Sequence, residues 1–408
     1  MADRSLAGQV RFDMSVLGAP GRIRPVLGQI VALLGALLLA GCASVVPRTQ
    51  APPPPPPPKT AEPGIDKGLP VDTARHRVAL LVPISGSNAG VGRSIANATT
   101  MALLDTKTER LRITTYDTGK GAAAAAQRAI AEGNQLILGP LTADEVRAVA
   151  PVTRAANVPI ISYSNDLSVA GNGVYLLGYM PEQSIERVVG YARSKGLSNF
   201  AALVPKGVYG ERAGSAFLSK VKAAGGTVVA METFDRSPAS VSAAVKKLAT
   251  SSSYDALLIA DVGRIALQAG PLIRANGGAS ARILGTELWN AETGLTASTA
   301  LRGAWFASVS DGLYRTLSNK YRTSYGTAPY RLASLGYDSV LLAVRIAADW
   351  KPGTAFPSAR LVDPEGFAGI DGAFRFGRSG IAERNLEIQE VGAGSIGVLE
   401  AAPKGFAR

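Results

Sequence analysis

The chain has 408 residues, 47% of them hydrophobic and 18% charged, with a formal net charge of +12. That is ordinary globular composition, long enough for two or three structural units of roughly 100–200 residues each. The single cysteine excludes a disulfide within the chain, and the single histidine excludes a cluster of His and Cys metal ligands. The positive charge suits two classes of partner, nucleic acid and anionic cell-envelope material. No dense basic helix or interleaved aromatic stripe supports the first, so no nucleic-acid partner is expected. "RNLEIQE" and "VKKLAT" read as solvated faces.

The apolar run from about Val26 to Ala40 is shorter than the roughly 20 residues of a spanning helix. With Arg22 and Arg24 before it, it reads as the core of a signal peptide over residues 1–41. Met14 is an alternative start. Leu39-Ala40-Gly41-Cys42 resembles the lipobox of bacterial lipoproteins. That resemblance implies cleavage before Cys42 and lipid on its sulfur and new N-terminus. It implies a membrane partner through the lipid anchor, on the periplasmic side of the envelope. Ala43 rather than Asp after the cysteine favours the outer membrane. Several acyl chains, at about 0.8 kcal/mol per buried methylene, hold a protein on a bilayer without a spanning helix. Residues 42–75 then carry Pro52 to Pro58, Pro63 and Pro70, and read as a stiff polyproline tether.

From His76 the pattern changes. His76, at the junction of tether and domain, is expected at the surface. "RVALLVPI" reads as a buried strand, "VGRSIANATTMALLDT" as a helix and "LRITTYD" as a strand. "GAAAAAQRAIAEG" is a helix stopped by Gly133, and "QLILGP" a third strand. "TADEVRAVAPVTRAANV" is a helix kinked or broken at Pro151, before the strand "PIISYS". "YLLGYM" reads as a bridge. "PEQSIERVVGYARSKG" has Pro181 near its start and Gly196 past its end, the polarity of a helix. Strands "NFAALVP", "TVVAMETF" and "ALLIA" alternate with helices, and "ARILGTELW" and "AWFASV" add two more. "LYRTLSNKYRTSYG" and "SLGYDSVLLAVRIAADW" are helices, and the Gly-rich tail reads as hairpins.

A strand–helix alternation of roughly 25 residues implies parallel strands in α/β sheets covered on both faces. The expected fold class is therefore α/β, with two doubly wound parallel-sheet lobes and a central cleft. In open parallel sheets, ligands bind beyond the carboxyl ends of the strands.

The runs "LLVPISGSNAGVGRSIANATTMAL", "LILGPLTADEVRAVAPVTRAANVPIISYSND", "ALVPKGVYGERAGSAFLSKVKAAGGTVV" and "ASLGYDSVLLA" resemble the type I periplasmic binding proteins of the leucine-binding branch. The resemblance covers about residues 77–392 and implies three crossovers between lobes. It implies lobe one over 76–180 and 308–350, and lobe two over 181–307 and 351–403. It implies cleft loops at Ser85, Gly86 and Ser87; at Pro140, Leu141 and Thr142; and at Ser162, Tyr163, Ser164 and Asn165. From lobe two it implies Tyr209, Asp261 and the pair Thr286 and Glu287. Hydroxyls and N–H groups at helix starts suit a carboxylate, and Asp261 or Glu287 suits an ammonium. Two positions depart from the amino-acid binders of the branch. Val91 stands where an aromatic is expected, and Ala143 where a carboxylate-binding serine is expected.

Within the branch, the lipobox, the tether and "LGTELWN…GAWFAS…GFAGIDGAFRF" resemble penicillin-binding protein activators. That resemblance implies a non-catalytic regulator of peptidoglycan synthesis, with a peptidoglycan synthase as partner. The alternative is a substrate-binding protein that delivers branched-chain amino acids or similar amphipathic solutes to an ABC transporter permease. Neither reading has catalytic residues, metals or cofactors. Gly392-Ala393-Gly394-Ser395-Ile396-Gly397 fits G-x-G-x-x-G, but no helix follows, so it reads as a hairpin turn.

Overall fold

The computed structural model describes residues 74–406. The expected signal peptide, Cys42 and nearly all of the tether lie outside the described residues. The first sheet is built from β1 (His76–Val82), α1 (Ala89–Thr106), β2 (Leu111–Asp117), α2 (Ala122–Ala131), β3 (Leu136–Leu138), α3 (Ala143–Ala155), β4 (Ile160–Ser162) and β5 (Val174–Leu176). Its five strands run parallel in the order β2-β1-β3-β4-β5. "YLLGYM" is thus no bridge: Val174–Leu176 is the fifth strand. Nor does Pro151 break α3, which continues to Ala155. The proline is exposed, so water can satisfy the carbonyl it leaves without a donor.

The second sheet begins after α4 (Pro181–Ser194), with β6 (Asn199–Pro205), α5 (Val208–Ala223), β7 (Thr227–Phe234), α6 (Pro238–Ala249), β8 (Ala256–Ile259), α7 (Gly263–Ala275), β9 (Arg282–Gly285) and β10 (Trp305–Ser308). The chain returns to the first lobe as α8 (Gly312–Tyr325) and α9 (Ala333–Ala347). It then forms β11 (Phe367–Gly369), β12 (Gly372–Phe376), β13 (Ala382–Arg384), β14 (Glu387–Val391) and β15 (Ile396–Glu400). The second sheet has the order β15-β14-β10-β9-β8-β6-β7, with β14 and β15 antiparallel at one edge. The glycine-rich 392–397 segment is the β14–β15 turn, closed by Gly392 N–H donating to Ser395 O at 2.9 Å.

Each sheet is buried on both faces because its strand residues alternate. In β1, Val78, Leu80 and Val82 face α1 and α9, while Ala79 and Leu81 face α2 and α3. In β6, Phe200, Ala202 and Val204 face α4 and α5, while Ala201 and Leu203 face α6 and α7. The two lobes share one device. A Cβ on Gly92 of α1 would sit 1.9 Å from Pro83 O, and one on Gly210 of α5 would sit 1.5 Å from Pro205 O. At both places glycine lets a helix start against the end of its strand.

Three expectations are corrected. Residues 351–403 do not all join lobe two. Phe356, Leu361, Phe367, Phe374, Phe376 and Ala382 share one core with β1 and α9. The β11–β13 sheet is therefore part of lobe one, and the third crossover falls between Arg384 and Glu387. "RNLEIQE" is no solvated face, since Arg384, Leu386, Glu387, Ile388 and Gln389 are all buried. His76 is buried too, its ring stacked on Trp350 at 3.9 Å with an 8° interplanar angle. Burial pushes its imidazole pKa down.

Replacing Phe374 by Ala opens a cavity in a fully buried site and is expected to destabilise the chain by about 3–5 kcal/mol. Denaturant unfolding measures the loss. Hydrogen exchange should accelerate in β1–β5 while β6–β10 keep their protection; equal acceleration in both sheets would contradict the lobe-one assignment of β11–β13.

Candidate ligand cleft

Parallel pairing puts the carboxyl ends of β1–β5 on one edge of the first sheet and those of β6–β10 on one edge of the second. The register then decides which side chains meet. Val82 pairs with Asp117, so the loop after β1 reaches the end of β2. Asp117 Oδ1 accepts from Ile84 N at 2.8 Å, Ser85 N at 3.2 Å and Gly119 N at 2.9 Å, and Oδ2 accepts from Ser85 Oγ at 2.8 Å. Burial pushes the Asp117 carboxyl up, but these donors outweigh it and hold its pKa below the usual range. Gly86 and Ser87 lie exposed beyond it.

The next loop is closed in the same way. Thr142 caps α3 and Glu145, three residues on, completes a capping box. Glu145 Oε2 accepts from Thr142 N at 2.9 Å, Thr142 Oγ1 at 3.1 Å and Leu141 N at 3.2 Å. Glu145 Oε1 accepts from Thr118 Oγ1 at 2.5 Å. Ser162 Oγ donates to Pro140 O at 2.9 Å and accepts from Ser164 N at 3.0 Å, and Ser164 Oγ accepts from Asp166 N. Tyr163 points away into the core, bonded to Ser339 at 3.0 Å. Asn165 is half-buried beside this loop.

On the second lobe, Ile259 pairs with Gly285, so Asp261 and Glu287 each stand two residues beyond a paired strand end. Tyr209 Oη lies 3.3 Å from both Thr286 Oγ1 and Glu287 Oε1, and Ser184 Oγ donates to Glu287 Oε2. Glu287 is only 9% exposed, and among the described residues no Lys or Arg pairs with it. Burial pushes its carboxyl up to about 7, with Ser184 and Tyr209 pulling the other way. Asp261 is not available to a ligand in the manner expected. Its Oδ2 holds Arg236 Nε at 2.7 Å, and its Oδ1 accepts from Val262 N at 2.8 Å. Arg236 takes a left-handed conformation, φ 69°, to reach it.

The lobes are joined where the chain crosses, near Tyr179, Asp311 and Arg384. Arg331, in the segment before α9, reaches the first two. It lies 2.7 Å from Asp371 and 3.6 Å from Asp311, and stacks its guanidinium over Tyr314 at 4.0 Å and Tyr179 at 5.8 Å. Tyr179 Oη donates to Asp371. Arg384 donates to Leu177 O at 2.8 Å and stacks on Tyr179 at 5.1 Å, while its backbone N–H donates to Gln183 Oε1 at 3.0 Å. Burial pushes Asp371 up, but Arg331 and Arg384 overcome it and hold the carboxyl down. Neighbouring Asp338, buried beside that charge, is pushed up. None of the described hydrogen bonds links Ser85, Thr142 or Asn165 to Tyr209, Asp261 or Glu287. Beside the crossovers an open groove of about 560 Å³ runs between Asp166, Leu167 and Ser168 of lobe one and Glu182, Arg212 and Lys220 of lobe two. Its two cations are already paired, Arg212 with Glu182 at 2.9 Å and Lys220 with Glu186 at 2.7 Å.

Residues 76–394 match the family described as periplasmic binding protein. The chain belongs to that family. It is a family of binding proteins rather than enzymes, and its members work in the periplasm or cell envelope. Among solved structures, a Rhodospirillum rubrum protein proposed as a branched-chain amino acid ABC transporter is similar, with a TM-score of 0.70 and 20% identity. The match covers 80% of this chain and 100% of that one. A Rhodopseudomonas palustris solute-binding protein of an ABC transporter, in complex with 3,4-dihydroxybenzoic acid, has a TM-score of 0.64 and 18% identity over 82% and 97%. The branched-chain amino acid substrate-binding protein LivJ of Streptococcus pneumoniae, in complex with isoleucine, has a TM-score of 0.60 and 17% identity over 81% and 100%. At these identities the likeness is one of fold. An uncharacterized Rickettsia prowazekii protein is 23% identical over 177 residues, 43% of this chain and 47% of that protein. The chain thus spans about half the length of the curated relative it matches.

Sequence reasoning found Tyr209, Thr286 and Glu287, which meet. It missed Asp117, Glu145, Ser184 and Arg236, which decide what the loop residues are free to do. Only Glu145 carried a signal, the T-x-x-E spacing of a capping box.

The raised Glu287 carboxyl has a measurable sign. Its stabilising contribution is full below about pH 4.5, the ordinary value, and is lost as pH rises through about 7. Glu287→Gln should therefore match wild type near pH 4 and exceed it at pH 8 by on the order of 1–3 kcal/mol. Denaturant unfolding at the two pH values checks this; a difference that does not change with pH would contradict it.

Proposed function

We propose that this protein is the solute receptor of an ABC transporter, holding a small amphipathic solute in the cleft and passing it to the permease. The Tyr209–Thr286–Glu287 cluster carries this reading. A buried carboxylate without a cation is costly, and a ligand ammonium would offset that cost. Lobe one would supply its share through the loops at Ser85, Thr142 and Asn165. The likeness to transporter binding proteins supports the same reading. The lipobox at Cys42 and the proline tether would hold the receptor on the periplasmic face of a membrane, the outer one if Ala43 directs it there.

A second reading has its own support. The hydroxyls and N–H groups of lobe one that would hold a ligand carboxylate are already committed to Asp117 and Glu145. A cleft that no longer needs a solute suits a lipid-anchored activator of a peptidoglycan synthase.

Calorimetry of the full-length chain against amino acids and related amphipathic solutes separates the two. The receptor reading expects micromolar binding, weakened at least tenfold by Glu287→Ala. Binding to a synthase with no solute response would favour the activator.

A further inference from the structure

The cleft of lobe one already holds carboxylates of its own. Glu145 occupies the donor set at the start of α3: Leu141 N, Thr142 N and Thr142 Oγ1 all point at Oε2, and Thr118 Oγ1 at Oε1. Asp117 occupies the equivalent set after β1, including Ser85 Oγ. Ala143, the first residue of α3, offers no hydroxyl. A ligand carboxylate would have to displace Glu145 from charge-assisted bonds, and until it did, two like charges would face each other.

On lobe two, Arg236 is the one described cation bonded to a residue of the expected site. Its Nε is bound to Asp261, so that pair is neutral as a unit. Glu287 remains, nine-tenths buried and without a cationic partner among the described residues. In a chain whose overall charge is +12, Asp117, Glu145 and Glu287 at the loops of both lobes have no cationic partner among the described residues.

We propose that Glu145 is a specificity-determining residue that closes the lobe-one half-site to a free carboxylate, so that the cleft takes an amine lacking one. The carboxylate acts as a built-in substitute for the ligand group that the donors at the start of α3 would otherwise bind. An amine finds acceptors on both walls, whereas a free amino acid finds its ammonium site at Glu287 and its carboxylate site filled. This inference rests on the solute-receptor reading and names the ligand class of that site.

The test uses the full-length chain and matched probes: each standard amino acid against the amine left when its carboxylate is removed, by calorimetry at pH 8. At least one amine should bind ten or more times tighter than its parent amino acid. Glu145→Ala frees the donors at Leu141 and Thr142, and should reverse the preference by strengthening amino acids at least tenfold. Glu145→Gln keeps an acceptor for the cap and provides a second readout if the alanine variant does not fold. It should lose at least tenfold in amine affinity and gain nothing for amino acids. Amino acids binding as tightly as their amines, with Glu145→Gln unchanged, would overturn this inference and leave the receptor reading standing. No binding of either set by folded wild type would overturn both.

Discussion

Arg331 is the contact on which the geometry of the molecule depends. Three separate crossings join two self-contained sheets, and a single buried guanidinium touches residues at two of them, Tyr179 and Asp311, together with Asp371 of lobe one. Truncating one partner of such a pair strands the other charge in the interior, a cost of about 3–5 kcal/mol. The pair is not isolated. Arg384 and Asp338 are packed against the same aspartate, so a proton or a rotation at one member is felt by the rest. Any change in the angle between the lobes has to be accommodated within this cluster.

What the cleft can bind is set by a different contest. Helix starts and strand ends offer N–H groups and hydroxyls that suit anions. In lobe one those donors are taken by side chains from the chain itself, Asp117 and Glu145, at distances of 2.5–3.2 Å. An internal carboxylate is always present at its site, whereas a free ligand has to give up translational freedom to reach it. Lobe two does the reverse with Glu287, which keeps hydrogen bonds to Ser184 and Tyr209 but has no compensating charge among the described residues.

Much of the fold was legible because burial on both faces of a parallel sheet leaves continuous apolar strands separated by amphipathic helices. "RVALLVPI" and "NFAALVP" announce β1 and β6 in this way. The weaker elements were not. Val174–Leu176 is three residues long and joins the sheet through a partner, Ile160–Ser162, that it meets only in space. "RNLEIQE" looks solvated because the partners of its charges do not show in its pattern: Arg384 donates to Leu177 O, far away in the chain, and Glu387 accepts from the Gln389 amide two residues on. His76 looks exposed until Trp350, far along the chain, stacks on it.

The sequence by itself determined the α/β class, the doubling of the sheet, and the loops that end at Tyr209, Thr286 and Glu287. These follow from local periodicity and from family resemblance, each carried by neighbouring residues. Tertiary structure alone decided that β11–β13 join lobe one, that Arg331 binds residues at two of the crossovers, and that Glu145 and Asp117 fill the lobe-one donors. The reason is physical. Which donor a carboxylate finds, and which lobe a short hairpin covers, depends on strand register and on contacts between residues far apart in the chain, and neither leaves a pattern in the local order of amino acids.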